Sequence, residues 1–484
     1  PRTEFSVADV LRSEPWEAYR ATHSVPDFQH SAVRALSRCR TAALGGHKKK
    51  CACGFEKQAY NSCGNRNCPT CQGRLSKKWL AGRSENLLSV RYSHAMFGLH
   101  DGFNDLVPRN RKVIYSALLK AVINTLAAWG HRELGGQLWG LAVLHTWGQT
   151  MWFHPHVHVL TANGVLSEDG TEWRPFDTGF LAVHASLMQK EFGERFCAIL
   201  RKADLVFEGK VKHLADKAVF AQFLEEQMQR PWSVHCKKAE GGPGQVLEYF
   251  AKHLHSVAIR NYQITNIADD GSVSFTHLDR NKLDDKGYPV KKVTTLTGED
   301  FIGRFVRHIL PKGFRKVRPF GLLSGRNKAE KIRAAREAIL RAQLPVLSEG
   351  TSAGSVPVAG GVGVWRVENS VDATDATYGD GSQSFHGEGT SNDDGTGRLS
   401  HERVVRAPRS IAAPSAIPPT ELGRNENGTE SQALRAKPDW EMEEAEEPRK
   451  STKWDPNRCP NCGGTMVKAG YIRRFAPQGG KRWM

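Results

Sequence analysis

No apolar run in this chain approaches the roughly 18 residues that a membrane-spanning helix needs, and no hydrophobic leader opens it. Nothing marks it for export, and a cytoplasmic location is expected. A Gly-x-x-x-x-Gly-Lys-Ser/Thr run is also lacking, so no nucleotide-driven motor and no nucleotide cofactor are expected. Without an export signal, the ten cysteines read as metal ligands or buried thiols rather than disulfides. Acidic residues outnumber basic ones over one long stretch. Residues 343–450 hold 18 acidic and 10 basic residues, a net of −8, within a chain whose formal charge is +17, so the remainder carries +25. An excess of that size favours a polyanion, and nucleic acid is the obvious one, although composition does not separate DNA from RNA. The 484 residues allow two or three domains.

The most informative stretch is Phe153-His154-Pro155-His156-Val157-His158-Val159-Leu160. Side chains alternate faces along a strand, so His156 and His158 project from one side while Val157 and Val159 enter a core. Two imidazoles on one stiff strand make half of a metal site; short His-x-His runs also occur on plain surface strands. His154 would share the face, but Pro155 removes a donor and predicts a strand start or a bulge there. A strand over Leu138–Leu144 ends in His145, and its short connection to the histidine strand predicts antiparallel neighbours. His145 then becomes a third imidazole, and three protein ligands leave a position open for substrate.

Residues 1–45 carry helical spacing, and a cysteine cluster follows. Cys68-x-x-Cys71 has knuckle spacing for Zn²⁺, and Cys51 and Cys53 can supply the other pair, with Cys63 and His47 as alternatives. A site closed by four ligands binds and folds rather than catalyses. Tyr92–Leu99 reads as a strand and Arg111–Trp129 as a helix. The segment 180–230 is mostly helical, and Trp232–Lys238 is a short strand. After the break at Gly241-Gly242-Pro243-Gly244, a helix runs over Gln245–His255. It carries Tyr249 one turn before His253, with Lys252 and His255 nearby, a setting unlike that of an ordinary packing tyrosine. Short strands and a helix return over 273–323, where Lys312, Arg315, Lys316 and Arg318 interleave with Phe314 and Val317 in a pattern suited to phosphate contacts. Arg66, between the zinc cysteines, joins Lys252 and these four as candidate DNA contacts. From about 350 to 450 the chain is rich in Gly, Ser, Thr and Asp and reads as disordered. Cys459-Pro460-Asn461-Cys462 is half of a zinc ribbon with no second half after it, so it either borrows histidines or is a remnant.

Taken together, these blocks resemble the rolling-circle (HUH) transposases of the insertion-sequence ninety-one family, over roughly residues 30–325. The resemblance rests on Tyr60-Asn61-Ser62-Cys63, Arg66-Asn67-Cys68-Pro69-Thr70-Cys71-Gln72, His145-Thr146-Trp147-Gly148-Gln149 and His154-Pro155-His156-Val157-His158. It continues through Gly241-Gly242-Pro243, Val246-Leu247-Glu248-Tyr249, Val257-Ala258-Ile259-Arg260-Asn261, Leu310-Pro311-Lys312-Gly313-Phe314 and Gly321-Leu322-Leu323. What it implies is an α+β chain with an HUH-endonuclease-like antiparallel sheet flanked by helices. The implied layout is a helical, zinc-binding module over 1–75, a catalytic domain over 76–330, a helix and disordered acidic linker over 331–450, and the half-ribbon tail over 451–484. The implied activity is nicking and rejoining of single-stranded DNA at element ends. Tyr249 would form a 5′-phosphotyrosine, Mg²⁺ or Mn²⁺ would sit at His145, His156 and His158, and Zn²⁺ would be structural. The implied setting is a bacterial cytoplasm, on the nucleoid when bound to DNA.

The family often carries two tyrosines four residues apart on this helix, whereas here the second position is His253. The cysteine module is also one residue shorter between its first two cysteines. A plasmid replication initiator or relaxase would use the same two-part site. A non-catalytic zinc-dependent DNA-binding protein, a decayed copy or repressor, is the reading from another class.

Overall fold

The structure, a computed structural model, describes residues 4–343, apart from 83, 240 and 286, together with 457–474. The acidic linker expected over about 350–450 lies outside the described residues. The strands are β1 (Gly46–Cys51), β2 (Glu56–Tyr60), β3 (Tyr92–Gly98), β4 (Gly136–Trp147), β5 (Phe153–Ser167), β6 (Trp173–Pro175), β7 (Ser233–Ala239), β8 (Ile264–Ile267), β9 (Val273–Leu283), β10 (Pro289–Leu296), β11 (Val317–Gly321) and β12 (Met466–Ile472). They form three antiparallel sheets. The central one runs β11-β4-β5-β3-β7 with β6 beside β5, and the smaller two run β12-β1-β2 and β10-β9-β8. Helices flank the central sheet, so the chain is α+β as expected.

The alternation read from β5 holds in space. Val157 and Val159 point into one core, and His156 and His158 lie on the opposite face. That core is filled by the 28-residue helix Val107–Leu134, whose Ile114, Leu118, Val122 and Leu126 are buried, and by the helix Ala185–Arg201. Against the expectation that no stretch approaches membrane-spanning length, the first of these is long and apolar enough to cross a membrane by length and composition; most of its apolar stretch is buried inside the protein, as suits a core helix. The other face of the sheet is covered by the helix Pro243–Leu254, which buries Val246, Phe250 and Leu254, and by Ile332, Ala335 and Ile339 of the helix Lys328–Gln343.

A separate core joins segments that the sequence keeps far apart. Val7, Leu11, Val33 and Leu36 of the N-terminal helices pack with Cys68, Cys71, Phe275, Phe301 and Phe305. The layer β8–β10 with the helix Gly298–Arg307 is thus built onto the N-terminal helices, although in sequence it lies between β7 and β11 of the central sheet. The tail strand β12 pairs with β1, matching Met466 with Cys51 and Tyr471 with His47. It is therefore an edge strand of the N-terminal sheet.

Candidate metal centre and the tyrosine helix

β4 and β5 are antiparallel, and their register sets His145 opposite His156 and Val143 opposite His158. Two residues apart on β5 and directly across from β4, the three imidazoles share one face, with ligand nitrogens all within 4.8 Å of one another. Pro155 falls where the expectation allowed. The register shifts between His145 and Trp147, a bulge that spares the ladder the N–H that proline lacks. The connecting turn is anchored to the N-terminal core. His308 Nε2–H donates to the Met151 carbonyl at 2.9 Å, its Nδ1 lies 3.1 Å from Thr146 Oγ1, and Arg304 donates to the Thr150 carbonyl at 3.1 Å.

The tautomers follow from the acceptors. His156 Nδ1–H donates to the His154 carbonyl at 2.7 Å, which leaves its Nε2 lone pair facing the cluster. His145 Nε2–H donates to the His253 carbonyl at 2.7 Å, leaving its Nδ1 for a ligand role. His158 Nε2 lies 3.0 Å from His156 Nε2, and its Nδ1 lies 2.9 Å from His94 Nε2. Burial holds His145 and His158 well below the ordinary imidazole range, and the neighbouring imidazoles push the same way, so both rings are neutral at pH 7. Neutral nitrogens packed this closely are what a metal requires of histidine.

His94 was not foreseen. It sits on β3, which the topology inserts between β5 and β7, so its strand borders the histidine strand although it lies far back in sequence. The available signal was a histidine alternating with the buried Ala95 and Phe97 within a strand-like run.

The helix Pro243–Leu254 brings Tyr249 to this face. The phenol ring is half-buried, 6.2 Å from the His94 ring and 4.6 Å from the His253 ring, with Lys237 Nζ 5.8 Å from its centroid. His253 occupies the buried side of the helix, its ring 5.1 Å from that of His158. Between this helix and the helix Pro69–Ala81 lies an open cleft of about 460 Å³, lined by Trp79, Lys78, His255 and Lys316 among others. Burial, with a smaller contribution from Arg66, pushes the Lys316 ammonium down to about 7. Lys316 Nζ donates to the Ser256 carbonyl at 3.1 Å.

Of the basic residues proposed to meet DNA, Lys252, Lys312 and Arg315 are exposed and Arg318 is half-exposed. Arg66 is half-buried and lines the cleft. Its guanidinium donates to the carbonyls of Pro311 (2.7 Å), Leu310 (3.2 Å) and Phe314, tying the zinc region to the loop before β11.

The cysteine assignment needs correction. Cys51, Cys53, Cys68 and Cys71 do not form one site; two separate quartets exist. Cys68 and Cys71 join Cys39 and Cys63, with Sγ separations of 3.7 Å for Cys39–Cys71 and Cys63–Cys71 and 3.6 Å for Cys39–Cys68. Cys51 and Cys53 lie instead against Cys459 and Cys462, so the tail pair neither borrows histidines nor stands alone. Pairing Cys51 and Cys53 with the nearest knuckle assumed local closure, whereas β1 turns them away from Cys68 and toward β12. Cys39, overlooked because it follows an apolar helical stretch, completes the first quartet. His47 belongs to neither.

Known proteins bear on this arrangement. Residues 140–331 match the family described as "Putative transposase", and residues 11–99 match "Transposase zinc-binding domain". The chain is 36% identical over 351 residues to "Putative transposase y4qJ" of Sinorhizobium fredii, covering 71% of this chain and 86% of that relative. The chain belongs to the insertion-sequence ninety-one family of transposases. A more distant member, "Transposase for insertion sequence element IS801" of Pseudomonas savastanoi pv. phaseolicola, is 24% identical over 310 residues, 62% of this chain and 71% of the relative. No solved structure matches. This transposase therefore acts on DNA in transposition, and its N-terminal region is a zinc-binding domain.

Proposed function

We propose that this transposase nicks and rejoins single-stranded DNA at element ends through a 5′-phosphotyrosine on Tyr249. The observation that carries the reading is the packing of the helix bearing Tyr249 onto the sheet face that holds His145, His156 and His158, with His94 between the phenol and the triad. In the first step the Tyr249 oxygen attacks phosphorus in line, a P–O(Tyr) bond forms and the P–O3′ bond breaks. The departing oxygen takes a proton to become a free 3′-OH, and the phenolic proton leaves to solvent. A phenol is mostly protonated near pH 7, so Lys237 beside the ring favours the phenolate through its charge. The bond energy stays in the adduct, and reversal by a 3′-OH rejoins a strand without a nucleotide.

Three imidazoles with convergent nitrogens, and no carboxylate in the cluster among the described residues, would ordinarily suit a transition-metal ion such as Zn²⁺; of the two ions that the resemblance implies, Mn²⁺ takes nitrogen ligands more readily than Mg²⁺. When bound, such an ion supplies Lewis acidity toward a phosphate oxygen. His156 and His145 are held in ligand tautomers by backbone carbonyls, and His94 accepts from His158 Nδ1 to hold the third. The strand is led across the cleft between Trp79 and His255, where an aromatic ring and basic side chains suit stacked bases and backbone phosphates. Lys252, Lys312, Arg315 and Arg318 add exposed positive charge, while His253 leaves one nucleophile per chain on this helix.

A 3′-labelled oligonucleotide carrying the element end tests the proposal. Wild-type protein with Mn²⁺ gives a labelled covalent adduct; Tyr249→Phe binds the same DNA and gives none. An adduct that survives Tyr249→Phe assigns the nucleophile elsewhere.

A further inference from the structure

We infer that this transposase carries a second tetrathiolate zinc site split between its two ends, with Cys51 and Cys53 from the β1–β2 hairpin and Cys459 and Cys462 from the segment before β12. The matched zinc-binding domain ends at residue 99, so the tail pair lies outside it. The four sulfurs lie within 4.8 Å of one another, with Cys51 Sγ 3.4 Å from Cys462 Sγ and Cys53 Sγ 3.5 Å from Cys459 Sγ. A tetrahedral ion with Zn–S bonds of about 2.3 Å sets sulfurs about 3.8 Å apart, whereas a disulfide needs about 2.05 Å. The spacing fits the ion, and all four thiols are free.

Backbone N–H groups face three of the four sulfurs. The N–H of Cys53 points at Cys51 Sγ and that of Phe55 at Cys53 Sγ, while the N–H groups of Asn461 and Cys462 converge on Cys459 Sγ. Such donors stabilise thiolates as they turn about a metal. Gly463 takes the left-handed φ of +72° that the knuckle turn requires. A Cβ on Gly464 would stand 3.3 Å from Cys462 Sγ, crowding it, and 3.5 Å from Cys51 Sγ, in contact with it.

Neither half suffices alone: a Cys-x-Cys hairpin tip and a Cys-x-x-Cys knuckle each bring two ligands. Four protein ligands leave no open position, so the site is structural. Its effect is to clamp the C-terminal strand β12 onto β1 and so complete the three-stranded sheet.

The test uses full-length protein purified without chelator, with metal counted by plasma mass spectrometry and thiols by titration under denaturing conditions. Wild type is expected to hold two zinc ions per chain, C459S/C462S one, and K468A, on the same strand, two. A wild type with one zinc, or a C459S/C462S variant that keeps two, overturns the split site, as does a wild type lacking two titratable thiols through a tail disulfide. In a second measurement, Co²⁺ replaces zinc and the thiolate charge-transfer absorption is recorded. C459S/C462S should lose about half of it; unchanged intensity overturns the assignment even where the variant folds differently.

Discussion

Phe250→Ala tests whether the placement of one helix on the sheet is what gives Tyr249 its chemistry. Phe250 is fully buried beside Val246 and Leu254, its ring 5.9 Å from that of His94, whereas the neighbouring Tyr249 is half-buried. Truncating a fully buried phenylalanine removes its transfer free energy and leaves a cavity, together about 3–5 kcal/mol. In urea this should move the unfolding midpoint by roughly 1 M or more. The chemical consequence is separate. A shift of about 1 Å in a reacting group costs on the order of 100-fold in rate, and Phe250 is the side chain that keys the helix against the face carrying the triad. Single-turnover adduct formation, at a temperature where both proteins remain folded, should therefore slow by about 100-fold in Phe250→Ala. Tyr249→Phe gives the opposite pattern, with stability within about 0.5 kcal/mol of wild type and no adduct. If Phe250→Ala is destabilised as expected yet forms adduct at the wild-type rate, the packing of this helix does not position the nucleophile.

His156→Ala should abolish Mn²⁺ binding measured by calorimetry and adduct formation with it, while the zinc content of the cysteine quartets stays unchanged; retained Mn²⁺ affinity would remove His156 from the ligand set. Arg66→Ala should cost about 1–3 kcal/mol of stability, because the Leu310 and Phe314 carbonyls lose the guanidinium as donor and Pro311 keeps only the Phe314 N–H, and should leave the salt dependence of DNA binding as it was. Arg315→Ala should do the reverse, lowering the slope of log affinity against log salt by about 1 with little effect on stability; exchanged outcomes would refute the split between tether and contact. His308 is a buried base pushed down to about 4 by burial, with the charges of Arg307 and Arg111 acting in the same direction. The unfolded chain takes up a proton near pH 6.5 that the folded one refuses, so stability is lost as pH falls from about 6.5 toward 4, by about 3 kcal/mol on this group's account. His308→Gln keeps a donor for Met151 and should flatten that part of the urea midpoint against pH; an unchanged slope would place the acid sensitivity elsewhere.

The parts of the site that could be read from the sequence are those fixed by local geometry. A period of two put His156 and His158 on one face, and a short connection put His145 across from them, because neighbouring antiparallel strands set their own register. Likewise the apolar stripe of Val246 and Phe250 fixed which side of the tyrosine helix would be buried. What escaped was set by contacts between distant segments. His94 reaches the cluster only because β3 is inserted between β5 and β7, an order that no local pattern encodes. The cysteines carry the same lesson more sharply. Cys68-x-x-Cys71 announced a site, but its partners were chosen by which strands pair, and β1 pairs with a tail strand from the far end of the chain. Arg66 read as a DNA contact from charge and neighbours alone, and the fold adds a tether that the sequence did not show, through the carbonyls of Leu310, Pro311 and Phe314. A guanidinium set between two zinc ligands and a loop of outward-turned carbonyls gains hydrogen bonds by reaching them as well as by reaching solvent. The basic excess of the folded region is thus divided between charge that holds the molecule together and charge that faces outward. Only exposure in the folded chain separates the two, which is why Arg66 and Arg315, alike in charge, should part company under mutation.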